Sequence, residues 1–165
     1  VAGERALADH RSRGEVTRSL EKMLSCGVCE LPAAVRRLRD ERDRLAREIR
    51  ALRGRWVARE AREALADPAP LIVRELPGWE PADMTGFVSA VTSAGRSVLA
   101  YDRTAGHLLI GRGRGTLDLR RLAPRLLALV DGRGGGRAEL IVGRAGDFSR
   151  LDELTDLLRR ELRRE

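Results

Sequence analysis

The sequence predicts an α/β protein: an extended helical arm with heptad patterning, followed by a small mixed α/β domain of about four strands and three helices. Three observations carry that prediction. Apolar residues between Pro32 and Asp67 recur in steps of three and four, the signature of a helix with one narrow buried stripe. Asp67-Pro68-Ala69-Pro70 then breaks the chain, because a residue before proline is pushed out of the helical region. Beyond it, short aliphatic runs alternate with amphipathic stretches, punctuated by glycine and proline. The expected divisions are a helical segment 1–31, a long heptad helix 32–67 and an α/β domain 68–165.

Residues 1–31 read as short helical segments, with breaks expected at Gly14 and at Gly27-Val28-Cys29. Pro32 suits the first turn of the long helix, where its missing N–H costs nothing. The seam of that helix is Val35, Leu38, Leu45, Ile49, Leu52 and Trp56, with Arg42 interrupting one position. Everything else on the helix is largely Arg, Glu and Asp, so the seam needs a partner: the N-terminal segments or a second copy of the chain. Leu71–Leu76 reads as a strand, Pro77-Gly78 as a turn, and 81–94 as a helix stopped by Gly95. Residues 98–101 and 107–110 form the expected hairpin around Gly106. Asp118 is placed to cap a helix carrying Leu119, Leu122, Leu126, Leu127 and Val130 on one face, with Pro124 implying a late start or a kink. A strand is expected around Glu139–Gly143. Ser149 is placed to cap the last helix, with Asp152 in a capping-box role and Leu151, Leu154, Leu157, Leu158 and Leu162 as its stripe.

Composition narrows the chemistry. The 165 residues carry a formal charge of +7, and all but one of the 32 basic residues are arginine, Lys22 being the exception. Such a surface favours polyanion encounters and salt-sensitive binding, although arginine abundance also follows from GC-rich coding. Most of the net charge lies in the helical arm. With two Phe, two Trp and one Tyr, base stacking is not the main binding mode. The first residue is Val1 rather than Met, so a piece of a longer protein is expected. No apolar run approaches the ~18 residues of a membrane span. Cys26 and Cys29 give no disulfide framework, which makes the cytoplasm the expected compartment.

Catalytic equipment is sparse. His10 and His107 lie far apart, and His107 reads as an exposed edge residue. Cys26-x-x-Cys29 has metal-ligand spacing but lacks a second pair, and helix-turn packing is the better reading. No serine sits in a nucleophile elbow and no carboxylate cluster suggests bound metal. No catalytic residue and no metal site are expected in this chain, and no cofactor. The most informative run is Asp131-Gly132-Arg133-Gly134-Gly135-Gly136-Arg137. Consecutive glycines bare the backbone, and its N–H groups with flanking guanidinium groups suit phosphate oxygens. The alternative is a flexible connection between helix and strand. Gly111-Arg112-Gly113-Arg114-Gly115 lacks dinucleotide-loop spacing, but Arg112 and Arg114 are candidates for the same phosphate-binding face.

With these motifs in order, the chain resembles the C-terminal portion of the alanyl-tRNA synthetase family, including the freestanding alanyl-tRNA editing proteins. Val1-Ala2-Gly3-Glu4-Arg5-Ala6-Leu7 is similar to the phrase that closes the family's editing domain. A helical arm and a DHH-associated domain follow, the latter marked by three glycines and an arginine: here Gly134, Gly135, Gly136 and Arg137. Ala138 stands in place of the usual proline, Glu139 keeps the acid, and Val142 stands where glutamine is common. The resemblance implies a non-catalytic module that dimerises and contacts tRNA, alanine tRNA by family, in the cytoplasm. It implies that 1–31 closes an upstream editing domain, where zinc is possible. The editing motifs HxxxH and CxxxH do not occur here, so the parent rather than this chain would be the hydrolase or ligase. Two alternatives stay open: a dimerisation domain without RNA contact, and a substrate-binding accessory domain of a DHH-type phosphoesterase.

Overall fold

A computed structural model describes residues 2–164, with side chains at 10, 11 and 13–164. Val1 and the side chains of Glu4, Arg5, Ala6 and Leu7 in the family-like phrase lie outside the described residues. The chain divides into two compact units, one ending at Ala51 and the other starting at Leu52.

The first unit is helical. Helix α1 (Ala2–Leu24) runs through Gly14 without the break expected there. One glycine costs a helix about 1 kcal/mol, which good helix formers on either side offset. The expected break at Gly27 does occur. Ser25 takes a left-handed conformation (φ 50°), a short 3-10 turn covers Val28–Glu30, and helix α2 (Leu31–Leu65) follows. Val35, Leu38, Leu45 and Ile49 are exposed along its first part. Surface ion pairs line the same stretch, such as Arg44 with Glu41 (2.6 Å) and Glu48 (2.8 Å). Pairs of this kind add only about 0.3–0.5 kcal/mol each.

The second unit takes the last turns of α2 and builds a mixed sheet on them. Its elements are β1 (Leu71–Glu75), α3 (Pro81–Ser93), β2 (Ser97–Asp102), β3 (His107–Gly111), α4 (Leu119–Ala128), β4 (Arg133–Gly136), β5 (Leu140–Arg144) and α5 (Leu151–Leu162). The strand order is β1-β2-β3-β5-β4, with β1 and β2 parallel and the other pairs antiparallel. Alternation across the pleat splits the core into two layers. Leu99, Tyr101, Leu108, Ile110 and Ile141 pack against α4 and α5. Ile72, Val98, Ala100 and Leu109 pack against α3 and against Ala61 and Ala64 of α2. Trp56 lies 4.5 Å, centroid to centroid, from buried Trp79, so this seam residue is partly used inside the unit while Leu52 stays exposed.

The tight β2–β3 turn rests on Asp102, which is fully buried. Its carboxylate accepts N–H bonds from Gly78 (2.8 Å), Thr104 (2.8 Å) and Ala105 (3.1 Å). Burial pushes the Asp102 pKa up, but these N–H donors outweigh it and hold it below the ordinary carboxylate value.

Three expectations are corrected, and for α4 the late start is ruled out while the Asp118 cap is found as expected. The glycine run is a fifth strand, β4, rather than a loop. Helix α4 starts at Leu119, with Asp118 accepting the Arg120 N–H; Pro124 sits inside it rather than delaying it. Helix α5 starts at Leu151 with Arg150 at its N-cap. Ser149 instead gives its N–H (2.9 Å) and its hydroxyl proton to Asp147, so it belongs to a turn, and Asp152 falls at the second helical position. Finally, His107 opens β3, an interior strand, and is half-buried opposite Arg144 rather than at an edge.

Candidate functional site

Strand β4 exists because its neighbours in space leave no room for side chains at two positions. A Cβ on Gly134 would collide with the Val142 carbonyl, and one on Gly136 with the Leu140 carbonyl. Glycine at both positions lets β5 approach. Sterics alone do not explain Gly135: a Cβ there meets nothing within 4 Å, and its φ lies outside the left-handed region.

Register fixes what the strand presents. Arg137 and Leu140 exchange backbone bonds at the hairpin (2.8 and 3.4 Å), so Gly135–Val142 and Arg133–Arg144 are the hydrogen-bonded pairs along it. The N–H and C=O groups of Gly134 and Gly136 therefore point away from β5, to the open edge of the sheet. This edge borders a groove of about 530 Å³ lined by Arg120, Ala123, Pro124 and Leu127 of α4 and by Gly132–Gly136. Pro124 has no N–H to give the Arg120 carbonyl. The cradle of converging N–H groups expected from a glycine turn is absent: extended backbone alternates donors and acceptors, so added negative charge must be met by guanidinium groups.

Those groups are present. Arg133, Arg137 and Arg144 are exposed. Arg133, Gly135, Val142 and Arg144 share the sheet face opposite α4 and α5, as the pairing shows. Helix α3 covers that face over β2 and β3; over β5 and β4 it is bare, leaving Val142 43% exposed. Among the described residues, the Arg133 and Arg137 guanidinium groups make no ion pair or hydrogen bond. Arg144 donates one bond to the Ala105 carbonyl (2.9 Å) and keeps its charge uncompensated. The sequence reading missed Arg144 and Arg120. Strand pairing brings Arg144 opposite Arg133, and nothing in linear order signals that.

Arg112 and Arg114 are placed differently. Arg112 reaches the β4–β5 turn, but its side chain is only 15% exposed, facing Glu139 at 4.0 Å and donating to the Leu117 carbonyl (3.1 Å). The side chain of Arg114 lies against Gly95, where a Cβ would come within 2.8 Å of its Nε. The structure brings together Arg133, Gly134, Gly135, Gly136 and Arg137, with Arg144 beside Arg133 on the bare face and Arg120, 3.6 Å from Asp118, across the groove on α4; Arg114 stands apart at the α3–β2 turn, and Arg112 is engaged internally. Among the described residues, no group of three or more His, Cys, Asp or Glu side chains is placed to hold a metal ion, and no helix is long and apolar enough to cross a membrane.

No family model matches the sequence, and no curated protein matches it. Solved structures do share its fold. The C-Ala domain of Aquifex aeolicus alanyl-tRNA synthetase matches at 19% identity and a TM-score of 0.50, over 56% of this chain and 89% of that domain. RecJ from Thermus thermophilus in complex with Mn2+ matches at 20% identity and a TM-score of 0.57, over 90% of this chain and 27% of RecJ. A manganese-bound exonuclease RecJ matches at 23% identity and a TM-score of 0.56, over 84% of this chain and 34% of that one. The chain thus spans roughly a third or less of the RecJ chains it matches. The fold is thus shared with the C-Ala domain, as the sequence resemblance implied, and with part of RecJ.

Proposed function

We propose that this chain is a non-catalytic nucleic-acid-binding module that docks a tRNA backbone on the bare face and open edge of β4 and β5. The observation that carries this reading is Gly135. The fold has no steric need for glycine there, yet the position is bare and stands between two unpaired arginines. A partner that comes close to the main chain accounts for both. Guanidinium groups meet phosphates bidentately, and recognition by shape and phosphate requires few aromatic residues. The fold shared with the C-Ala domain of an alanyl-tRNA synthetase supports tRNA, alanine tRNA by family, as the ligand. The parent would be an alanyl-tRNA editing protein or a synthetase. The exposed stripe of Val35, Leu38, Leu45 and Ile49 supports homodimerisation as a second role.

The test is binding of tRNA to the protein at two salt concentrations, read by fluorescence anisotropy alongside molar mass in solution. Replacing Arg133 and Arg137 together with alanine is expected to lower affinity at least tenfold and flatten the salt dependence; unchanged affinity rejects the site. One observation favours a second reading. The RecJ likeness covers more of this chain than the C-Ala likeness does, which supports an accessory domain of an exonuclease. Preference for single-stranded DNA over tRNA in the same titration selects that reading.

A further inference from the structure

We propose that Cys26 and Cys29 form half of a tetrathiolate zinc site, completed by the same two residues of a second copy of the chain. The turn that carries them is fully built without the sulfur atoms. Ser25 supplies the left-handed residue (φ 50°) after α1, and the Cys26 N–H closes back on the Glu21 carbonyl (3.2 Å), as in a Schellman-type helix end. Glu30 then returns its carboxylate to the Gly27 N–H (3.1 Å) and gives its own N–H to the Gly27 carbonyl (2.9 Å). The backbone between the two helices is thereby fixed, and both thiols ride on it three residues apart.

Packing does not account for them. Unpaired cysteines are among the most buried residues in proteins, yet Cys29 is exposed, Cys26 is only half-buried, and neither belongs to an apolar cluster. Their spacing is that of one half of a four-cysteine zinc site, and zinc in structural sites takes four ligands. Among the described residues no third His, Cys, Asp or Glu completes a set with them. Two thiols fill half of a tetrahedral set, and the same pair on a second copy would fill the other half.

The surroundings fit a second copy better than an open, water-filled position. Met23 is 76% exposed and Val28 52% exposed, within three residues of one thiol or the other. Val16 and Leu20 on α1 and Val35 and Leu38 on α2 are exposed as well. Four thiols release four protons as they bind one Zn2+, leaving a centre of net charge −2; Arg18 and Lys22 at the end of α1 stand near the turn together with Glu21 and Glu30 of opposite sign. No electron transfer is involved, and the sulfur atoms stay reduced.

The proposal stands apart from the nucleic-acid reading, and the R133A/R137A protein should bind metal as the parent does. The experiment is titration of the reduced protein with Co2+, then displacement by Zn2+, with molar mass measured at each step. Expected are the thiolate-to-cobalt charge-transfer and d–d bands of a tetrahedral tetrathiolate, saturating at half an equivalent per chain on a dimeric species. C26S and C29S should each abolish those bands while circular dichroism stays unchanged. A break at one equivalent per chain, bands that survive either substitution, or no bands at all would overturn the shared site.

Discussion

Two glycine–arginine runs sit on the same sheet and meet opposite fates. In Gly111–Gly115 the glycines and Arg112 are taken up by the fold, and Arg114 lies against Gly95, away from β4. A Cβ on Gly111 would meet Val88 Cγ1 at 2.5 Å and Thr92 Cγ2 at 2.6 Å, and one on Gly113 would meet the backbone of Gly95 and Arg96 at 2.5 Å. Gly115 needs its positive φ of 122°, and Arg112 is held by Leu117. In Gly132–Arg137 the glycines at 134 and 136 also serve packing, but Gly135, Arg133 and Arg137 are left over. Composition therefore does not mark a binding run; what matters is which glycines and arginines the fold leaves unused.

This contrast can be broken in graded ways. Gly113→Ala forces a methyl group into backbone and is expected to cost about 3 kcal/mol, a shift of roughly 100-fold in the folding equilibrium, read by urea denaturation. Asp102→Ala, which touches neither run, should cost a similar ~3 kcal/mol near neutral pH by leaving buried N–H groups unpaired. Because the Asp102 pKa is lowered in the fold, its stabilisation is present above the ordinary value of 3.8 and is lost as pH falls through the folded value. The stability gap between parent and variant should accordingly close in acid. The folded fraction of Asp102→Ala should bind RNA as the parent does.

The R133A/R137A double variant should leave the denaturation midpoint in place and lower tRNA affinity by a factor of ten or more. Its log–log salt slope should shrink by about 1.5, as for two lost phosphate contacts. Gly135→Val sharpens the comparison further: stability is expected to stay within about 0.5 kcal/mol, while affinity drops several-fold. A loss of stability comparable to Gly113→Ala would return Gly135 to a packing role. Arg112→Ala should give the smallest binding effect, a salt slope equal to that of the parent, whatever it does to stability.

Much of the fold was legible because glycine and proline punctuate it. Asp67-Pro68, Pro77-Gly78, Gly95 and Gly106 bound β1, α3 and the β2–β3 hairpin within a residue or two, and Asp118 caps α4 as its side chain suggests. Strand β4 was not legible. Strand signals come from side chains that pack on a pleated surface, and Arg-Gly-Gly-Gly offers none; only the tertiary approach of β5 makes it a strand. The site was half legible for the same reason. Arg133, the glycines and Arg137 are contiguous in sequence, whereas Arg144 joins them through register and Arg120 through the docking of α4. Gly14 misled in the other direction, since a local helix penalty was read as a stop.

An open strand edge is an invitation to self-association, because its unpaired main-chain groups fit those of another such edge. Here the cations at each end of β4 would confront those of an identical partner, and the glycines between them offer little apolar reward for stacking. Neutralising Arg133 and Arg137 would therefore do more than weaken a ligand: it would remove the guard that keeps two of these edges from zipping together.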